Sequence, residues 1–147
     1  LVVVSNQSGI GRGFYSESAL ATLNRHLYEH LYTDHGVDIS GFYHCPHHPT
    51  EALADWRRVC RCRKPAPGMI EQACAQLRIN PSHSLMVGDK ASDMEAGHAA
   101  GVGRLFRVVP SPVVSGSSSG VDATEGVVLV EGLLDVARIV GESPALA

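Results

Sequence analysis

Four apolar residues in unbroken succession, Leu1-Val2-Val3-Val4, open the chain, and the polar run Ser5-Asn6-Gln7-Ser8-Gly9 stops them. A β-branched run without polar alternation is the pattern of a strand buried on both faces, as in a parallel sheet. The pattern recurs at residues 84–89, which end at an acid, and residues 37–43, 104–109 and 127–130 read as further strands. Helical segments separate them. Ser16 is a cap for a helix whose Leu20, Leu23, Leu27 and Leu31 share one face and are expected in the core. Residues 68–77, after the entry Lys64-Pro65-Ala66-Pro67, and residues 92–100 and 132–140 read as further helices. Such alternation predicts an α/β fold, a Rossmann-like parallel sheet with helices on both faces, as one domain over residues 1–147. In open sheets of this kind ligands bind at the carboxyl ends of the strands. Ser5 and Asp89 are both expected there.

Bulk properties narrow the partners. Net charge is −3, and apart from Arg57, Arg58, Arg61, Arg63 and Lys64 the basic residues are scattered, so no broad basic face argues for nucleic acid. That cluster suits a small anion. No apolar run approaches the roughly 18 residues that a membrane helix needs. Residues 111–120, rich in Ser and Gly, read as a surface loop without a role in the site, and residues 141–147 as a frayed tail.

Three of the four cysteines lie close together. Cys45-x-His47, twelve intervening residues and then Cys60-x-Cys62 offer three thiolates and an imidazole, a donor set for tetrahedral zinc and a poor one for magnesium or calcium. His47 and His48 are both candidates for the imidazole. With four protein ligands such a zinc is structural, and it gives a loop over residues 45–62 the order that a long loop otherwise lacks. Held in that way, Arg61, Arg63 and Lys64 face fixed directions and recognise phosphate, arginine as a fork and lysine as a point charge. Cys74 reads as a small buried hydrophobe.

Three strand-end groups then fall in a telling order: Ser5 with Asn6, Lys64 ahead of a helix, and Gly88-Asp89 with Asp93. They resemble the haloacid dehalogenase-like (HAD-like) phosphohydrolases, whose second motif is a Ser or Thr at a strand end, third a Lys and fourth an acidic pair. The stretches SNQSGIGRG, YHCPHHP, CRCRKPAPGM and MVGDKASDM resemble more closely the heptose-bisphosphate phosphatases of the histidinol-phosphatase-like branch, as far as about Val109. The resemblance implies removal of the C7 phosphate of D-glycero-D-manno-heptose 1,7-bisphosphate, a precursor of lipopolysaccharide heptose, by a cytoplasmic monomer using magnesium. It implies that Ser5 donates to the phosphoryl oxygens, that Lys64 balances charge and that Asp89 ligates magnesium. Asp93 would support the metal from behind it, or act only as a first-turn helix acid. It further assigns Asn6, Arg12, Arg63, Lys64 and Lys90 to the substrate site, and Cys45, His47, Cys60 and Cys62 to zinc.

The chemistry accounts for the residue types, because phosphoryl transfer asks a protein mainly to position groups and neutralise charge. One part is missing. The family's first motif, Asp-x-Asp, supplies nucleophile and general acid and base, and no Asp-x-Asp occurs in these residues. The expectation is therefore an N-terminally truncated chain, lacking the first, central strand of its sheet and inactive as it stands. Two rivals remain: a histidinol-phosphate phosphatase, and a non-catalytic zinc-stabilised module that binds a sugar phosphate.

Overall fold

The computed structural model describes residues 1–109 and 126–142. Its chain forms two compact units, Leu1–Arg78 and Ile79–Ala147. The expected loop at residues 111–120 and all but the first two residues of the expected tail lie outside the described residues. Among the described residues no helix is long and apolar enough to cross a membrane.

In the first unit β1 (Val2–Asn6) pairs in parallel with β2 (Gly41–Cys45), in the register Val2 to Gly41 and Asn6 to Cys45. Ser5 and Asn6 were expected in a turn after the strand, but they lie within it. Pairing with β2 carries the extended backbone through them, and Gln7 N–H still reaches Cys45 O at 2.8 Å. The second strand likewise begins and ends later than residues 37–43 predict, and so ends on Cys45.

The turn after β1 is the short helix α1 (Ser8–Gly11) and not an open loop. Helix α2 (Glu17–His35) starts where Ser16 Oγ accepts Ala19 N–H at 3.1 Å and stops at Gly36, whose φ of 65° suits glycine. Its leucine row corrects an expectation: Leu20 is 4% exposed, but Leu23 and Leu27 are 61% and 40% exposed. Helical spacing reveals an apolar face, not what covers it, and among the described residues only the Leu20 end of that row is buried.

Helix α3 (Gly68–Leu77) has the predicted bounds. A Cβ on Gly68 would meet Arg61 O at 2.5 Å, so only glycine lets this helix start against the loop that precedes it.

The second unit is a parallel sheet in the order β3 (Leu85–Gly88), β4 (Arg104–Val108), β5 (Val127–Val130), with helices α4 (Ala91–Ala99) and α5 (Leu133–Gly141). Phe106, Val130 and Val136 form its core, flanked by Val87, Val128 and Ile139. The absence of a side chain at Gly97 brings α4 close to the sheet, where a Cβ would sit 2.6 Å from Leu105 and 3.0 Å from Met86 Sδ. Burying these apolar surfaces stabilises the unit by roughly 25 cal/mol per Å² removed from water.

Candidate active site and metal centre

Strand β2 delivers Cys45 into a fully buried position, and the chain turns at once to bring His47 beside it. The loop returns with Cys60 and Cys62. The ligand atoms of Cys45, His47, Cys60 and Cys62 all lie within 4.8 Å of one another. Cys62 Sγ stands 3.2 Å from both Cys45 Sγ and Cys60 Sγ, and His47 Nδ1 lies 3.4 Å from Cys62 Sγ and 3.5 Å from Cys45 Sγ. None of the cysteines is in a disulfide.

Zinc–sulfur bonds of about 2.3 Å put tetrahedral sulfurs about 3.8 Å apart, so an opening of a few tenths of an ångström would admit the ion. The donor set and its spacing fit a metal ion. His48 is not part of the cluster; its ring lies outside it, with Nδ1 accepting backbone N–H groups from Glu51 at 3.0 Å and Thr50 at 3.3 Å.

The electrostatics suit late deprotonation. Burial, reinforced by a hydrogen bond to Cys62, holds the Cys45 thiol well above its ordinary range, and burial also raises Cys62. Burial acts upward on Cys60 too, but hydrogen bonds with Cys62 and Cys45 outweigh it and leave this thiol below its ordinary value. Burial and the Arg58 charge lower His47, which keeps the ring neutral. Arg58 NH2 lies 2.7 Å from His47 Nε2. A guanidinium has only donors, so Nε2 accepts and the ring proton sits on Nδ1, facing the sulfurs. Metal binding at Nδ1 would require the other tautomer, with the ring proton on Nε2 and the Arg58 guanidinium moved away from it.

The loop also has anchors of its own. Leu53 N–H donates to Gly11 O at 2.7 Å, Arg57 Nε donates to Ala52 O at 2.8 Å, and Ala52 is fully buried. A Cβ on Gly11 would collide with Pro46 O, so α1 needs glycine to lie against this loop.

Directly after Cys62 come the two phosphate candidates. Arg63 NH1 donates to His47 O at 2.9 Å, which ties its guanidinium to the backbone of the loop. Lys64 is gripped through its own backbone: Asn6 Oδ1 accepts Lys64 N–H at 3.1 Å, and Asn6 Nδ2 donates to Lys64 O at 3.0 Å. Lys64 Nζ donates to Val4 O at 2.8 Å. Asn6 thus positions the lysine.

Arg61, expected to face phosphate beside them, is instead forked onto Glu71 at 2.7 and 3.0 Å. That carboxylate, on the first turn of α3, offers a closer and better matched partner. Arg12 pairs with Glu51 at 3.1 Å and lies over the Phe14 ring.

In the second unit Asp89 follows β3 at its carboxyl end and is exposed, as is Lys90. Asp93 is 4% exposed, and its Oδ2 accepts Lys90 N–H at 3.0 Å, which caps α4. Gly88 leaves the room it needs, since a Cβ there would lie 2.5 Å from Asp93 Cβ. Three contributors were given no individual role by the sequence: Arg58, known only as part of the basic cluster, and the pair Gln7 and Tyr15 beside Ser5, where Gln7 Nε2 donates to Ser5 Oγ at 2.8 Å.

Comparison with known proteins shows the family. The chain is 37% identical over 140 residues to a D-glycero-α-D-manno-heptose-1,7-bisphosphate 7-phosphatase of Photorhabdus laumondii, covering 95% of this chain and 73% of that protein. The chain belongs to the HAD-like heptose-bisphosphate phosphatase family. A HAD-hydrolase-like family model matches residues 61–106 of this family member. An Escherichia coli K12 D-glycero-β-D-manno-heptose-1,7-bisphosphate 7-phosphatase is 50% identical over 103 residues, 70% of this chain and 53% of that enzyme. The chain therefore spans between about half and three quarters of the length of these curated heptose-bisphosphate phosphatases.

Among solved structures, the D,D-heptose 1,7-bisphosphate phosphatase of B. bronchiseptica, complexed with magnesium and phosphate, matches with a TM-score of 0.75 and 26% identity, over 97% of this chain and 74% of that one. A HAD-like phosphatase from Mesorhizobium loti matches with a TM-score of 0.76 and 30% identity, over 94% and 62%.

Proposed function

We propose that this chain serves the magnesium-dependent hydrolysis of the C7 phosphate of a D-glycero-D-manno-heptose 1,7-bisphosphate, as a cytoplasmic monomer acting on this small molecule alone. The observation that carries the reading is the grip of Asn6 on both backbone groups of Lys64, which fixes a lysine at the end of the strand that bears Ser5. With the backbone gripped by Asn6 and Nζ resting on Val4 O, the ammonium is placed before phosphate arrives and needs little reorganisation.

In this reading the Ser5 hydroxyl donates to a phosphoryl oxygen and Lys64 neutralises charge. Arg63, Arg12 and Lys90 contact the sugar phosphate. Asp89 would hold magnesium, with Asp93 behind it. Magnesium, when bound, supplies positive charge to the phosphoryl group. Cys45, His47, Cys60 and Cys62 would hold a structural zinc ion, whose chemistry is only to fix the loop.

These residues contain no Asp-x-Asp, and we assign them no nucleophile. The 147-residue polypeptide is expected to bind substrate without turning it over. The test is phosphate release from heptose bisphosphate and from histidinol phosphate, by this polypeptide and by a form extended with a β-α unit bearing Asp-x-Asp. Turnover of the heptose substrate by the extended form, lost with Lys64→Met, supports the reading. Preference for histidinol phosphate would reassign the substrate. Binding without turnover in both forms would make the chain a sugar-phosphate-binding module.

A further inference from the structure

The residues after β1 include an amide that the reading above leaves idle. Gln7 donates from Nε2 to Ser5 Oγ at 2.8 Å, and its Oε1 accepts from the Tyr15 hydroxyl at 2.5 Å. The two lengths agree with the amide facing this way. A separation as short as 2.5 Å suits O–H···O and is too short for N–H···O, whereas 2.8 Å is ordinary for an N–H donor. The NH2 group has no lone pair to offer, so Ser5 Oγ is the acceptor and its own proton points elsewhere. Tyr15 is fitted to this task by a second feature: a Cβ on Gly9 would collide with its ring, so the phenol reaches Gln7 only across a glycine.

We infer that Gln7 and Tyr15 are positioning residues, which hold the Ser5 hydroxyl with its proton turned outward as a donor to the phosphoryl oxygen. The inference rests on the proposed contact between Ser5 and phosphate. A free serine hydroxyl rotates, and in some of its rotations it faces an incoming anion with lone pairs. Occupying one lone pair with the Gln7 amide removes the rotation in which the proton faces Gln7, and so biases the hydroxyl toward donation before the ligand arrives. Because Gln7 is neutral, it does so without repelling the anion.

The test uses the full chain, inorganic phosphate with magnesium as the probe, and 31P linewidths to read affinity. Gln7→Met keeps the shape of the side chain and removes its donor, and it should weaken phosphate binding by a factor of about two at most, the statistical worth of returning one of about three staggered rotations to the hydroxyl. Tyr15→Phe should weaken it less, because the amide is then free to flip. In a Ser5→Ala background Gln7→Met should change nothing. The side-chain amide 15N–1H signals of Gln7 should shift when phosphate is added to the wild type, a signature that a merely structural glutamine would not give. If Ser5→Ala weakens phosphate while Gln7→Met binds it as tightly as the wild type, the inference is overturned and the role of Ser5 stands. If Ser5→Ala binds phosphate as the wild type does, or the wild type binds none, the underlying reading is overturned and the inference goes with it.

Discussion

Replacing Asn6 by Asp tests the grip on Lys64 with a change of one atom. In the native side chain Oδ1 accepts Lys64 N–H at 3.1 Å, while Nδ2 donates to Lys64 O at 3.0 Å. Each bond contributes about 1 kcal/mol net, so Asn6→Ala should cost about 2 kcal/mol. For a chain of this size that is a fall of about 6 °C in melting temperature. In Asn6→Asp a carboxylate keeps the acceptor but sets its second oxygen against the Lys64 carbonyl. At pH 7 the loss should therefore match or exceed that of Asn6→Ala.

A protonated carboxyl, however, has one donor and one acceptor, as the amide does. The new group should fit best when protonated, so its folded-state pKa lies above the unfolded value of about 3.9. The sign follows from linkage: the stability it restores is fully present below about pH 4 and is lost as pH rises through the folded value. Urea titrations followed by the fluorescence of Trp56, the chain's single tryptophan, would read this. The quantity to plot is the stability of Asn6→Asp minus that of the wild type at each pH. A difference that stays flat from pH 4 to 7, or an Asn6→Asp protein as stable as the wild type at pH 7, would refute the reasoning.

Other outcomes follow from the same contacts. Cobalt titrated into the chain should give thiolate charge-transfer bands, lost in Cys62→Ser and kept in His48→Ala, since the His48 Nδ1 is taken up by Thr50 and Glu51 N–H groups. The cobalt affinity should fall as pH falls, because the Cys45 and Cys62 thiols lie above their ordinary range and must each give up a proton; calorimetry in two buffers would count the protons released. Gly88→Ala drives a Cβ to within 2.6 Å of the buried Asp93 Oδ2, so it should destabilise the chain by about 2 kcal/mol in denaturant melts.

How much of this was legible in the sequence depends on how local each cause is. The bounds of α3 follow from Pro67 and Gly68 at its start, and the apolar runs of β3 and β5 announce buried strands by composition alone. Ser5 and Asn6 looked like a turn because polar side chains usually close a strand. What keeps them extended is register with His44 and Cys45, which lie about 40 residues away. The ligand residues were legible by type and spacing, but the choice between His47 and His48 was not. It turns on the direction of each ring: His47 faces the three sulfurs, and His48 is turned to the backbone of residues 50 and 51. Arg61 and Arg63 are equivalent in a string of letters. Glu71, on the following helix, takes one, and the backbone of the metal loop takes the other.

That last distinction ties the proposed metal cluster to the proposed phosphate site. Only Arg63 separates the ligand Cys62 from Lys64, so the cluster fixes one end of a very short span while Asn6 fixes the other. Arg63 closes the same span by bonding to the carbonyl of the ligand His47. A chain held at both ends over so few residues has little freedom to lose when an anion binds, and ordering a residue otherwise costs about 1–2 kcal/mol. On the proposed reading a metal held by the cluster would act on phosphate affinity without contributing charge to it. Removing it should loosen the backbone at Cys62 first and the grip of Asn6 next, with the lysine still charged but no longer aimed. Surface charge alone would predict the opposite dependence: affinity indifferent to chelation and sensitive only to salt.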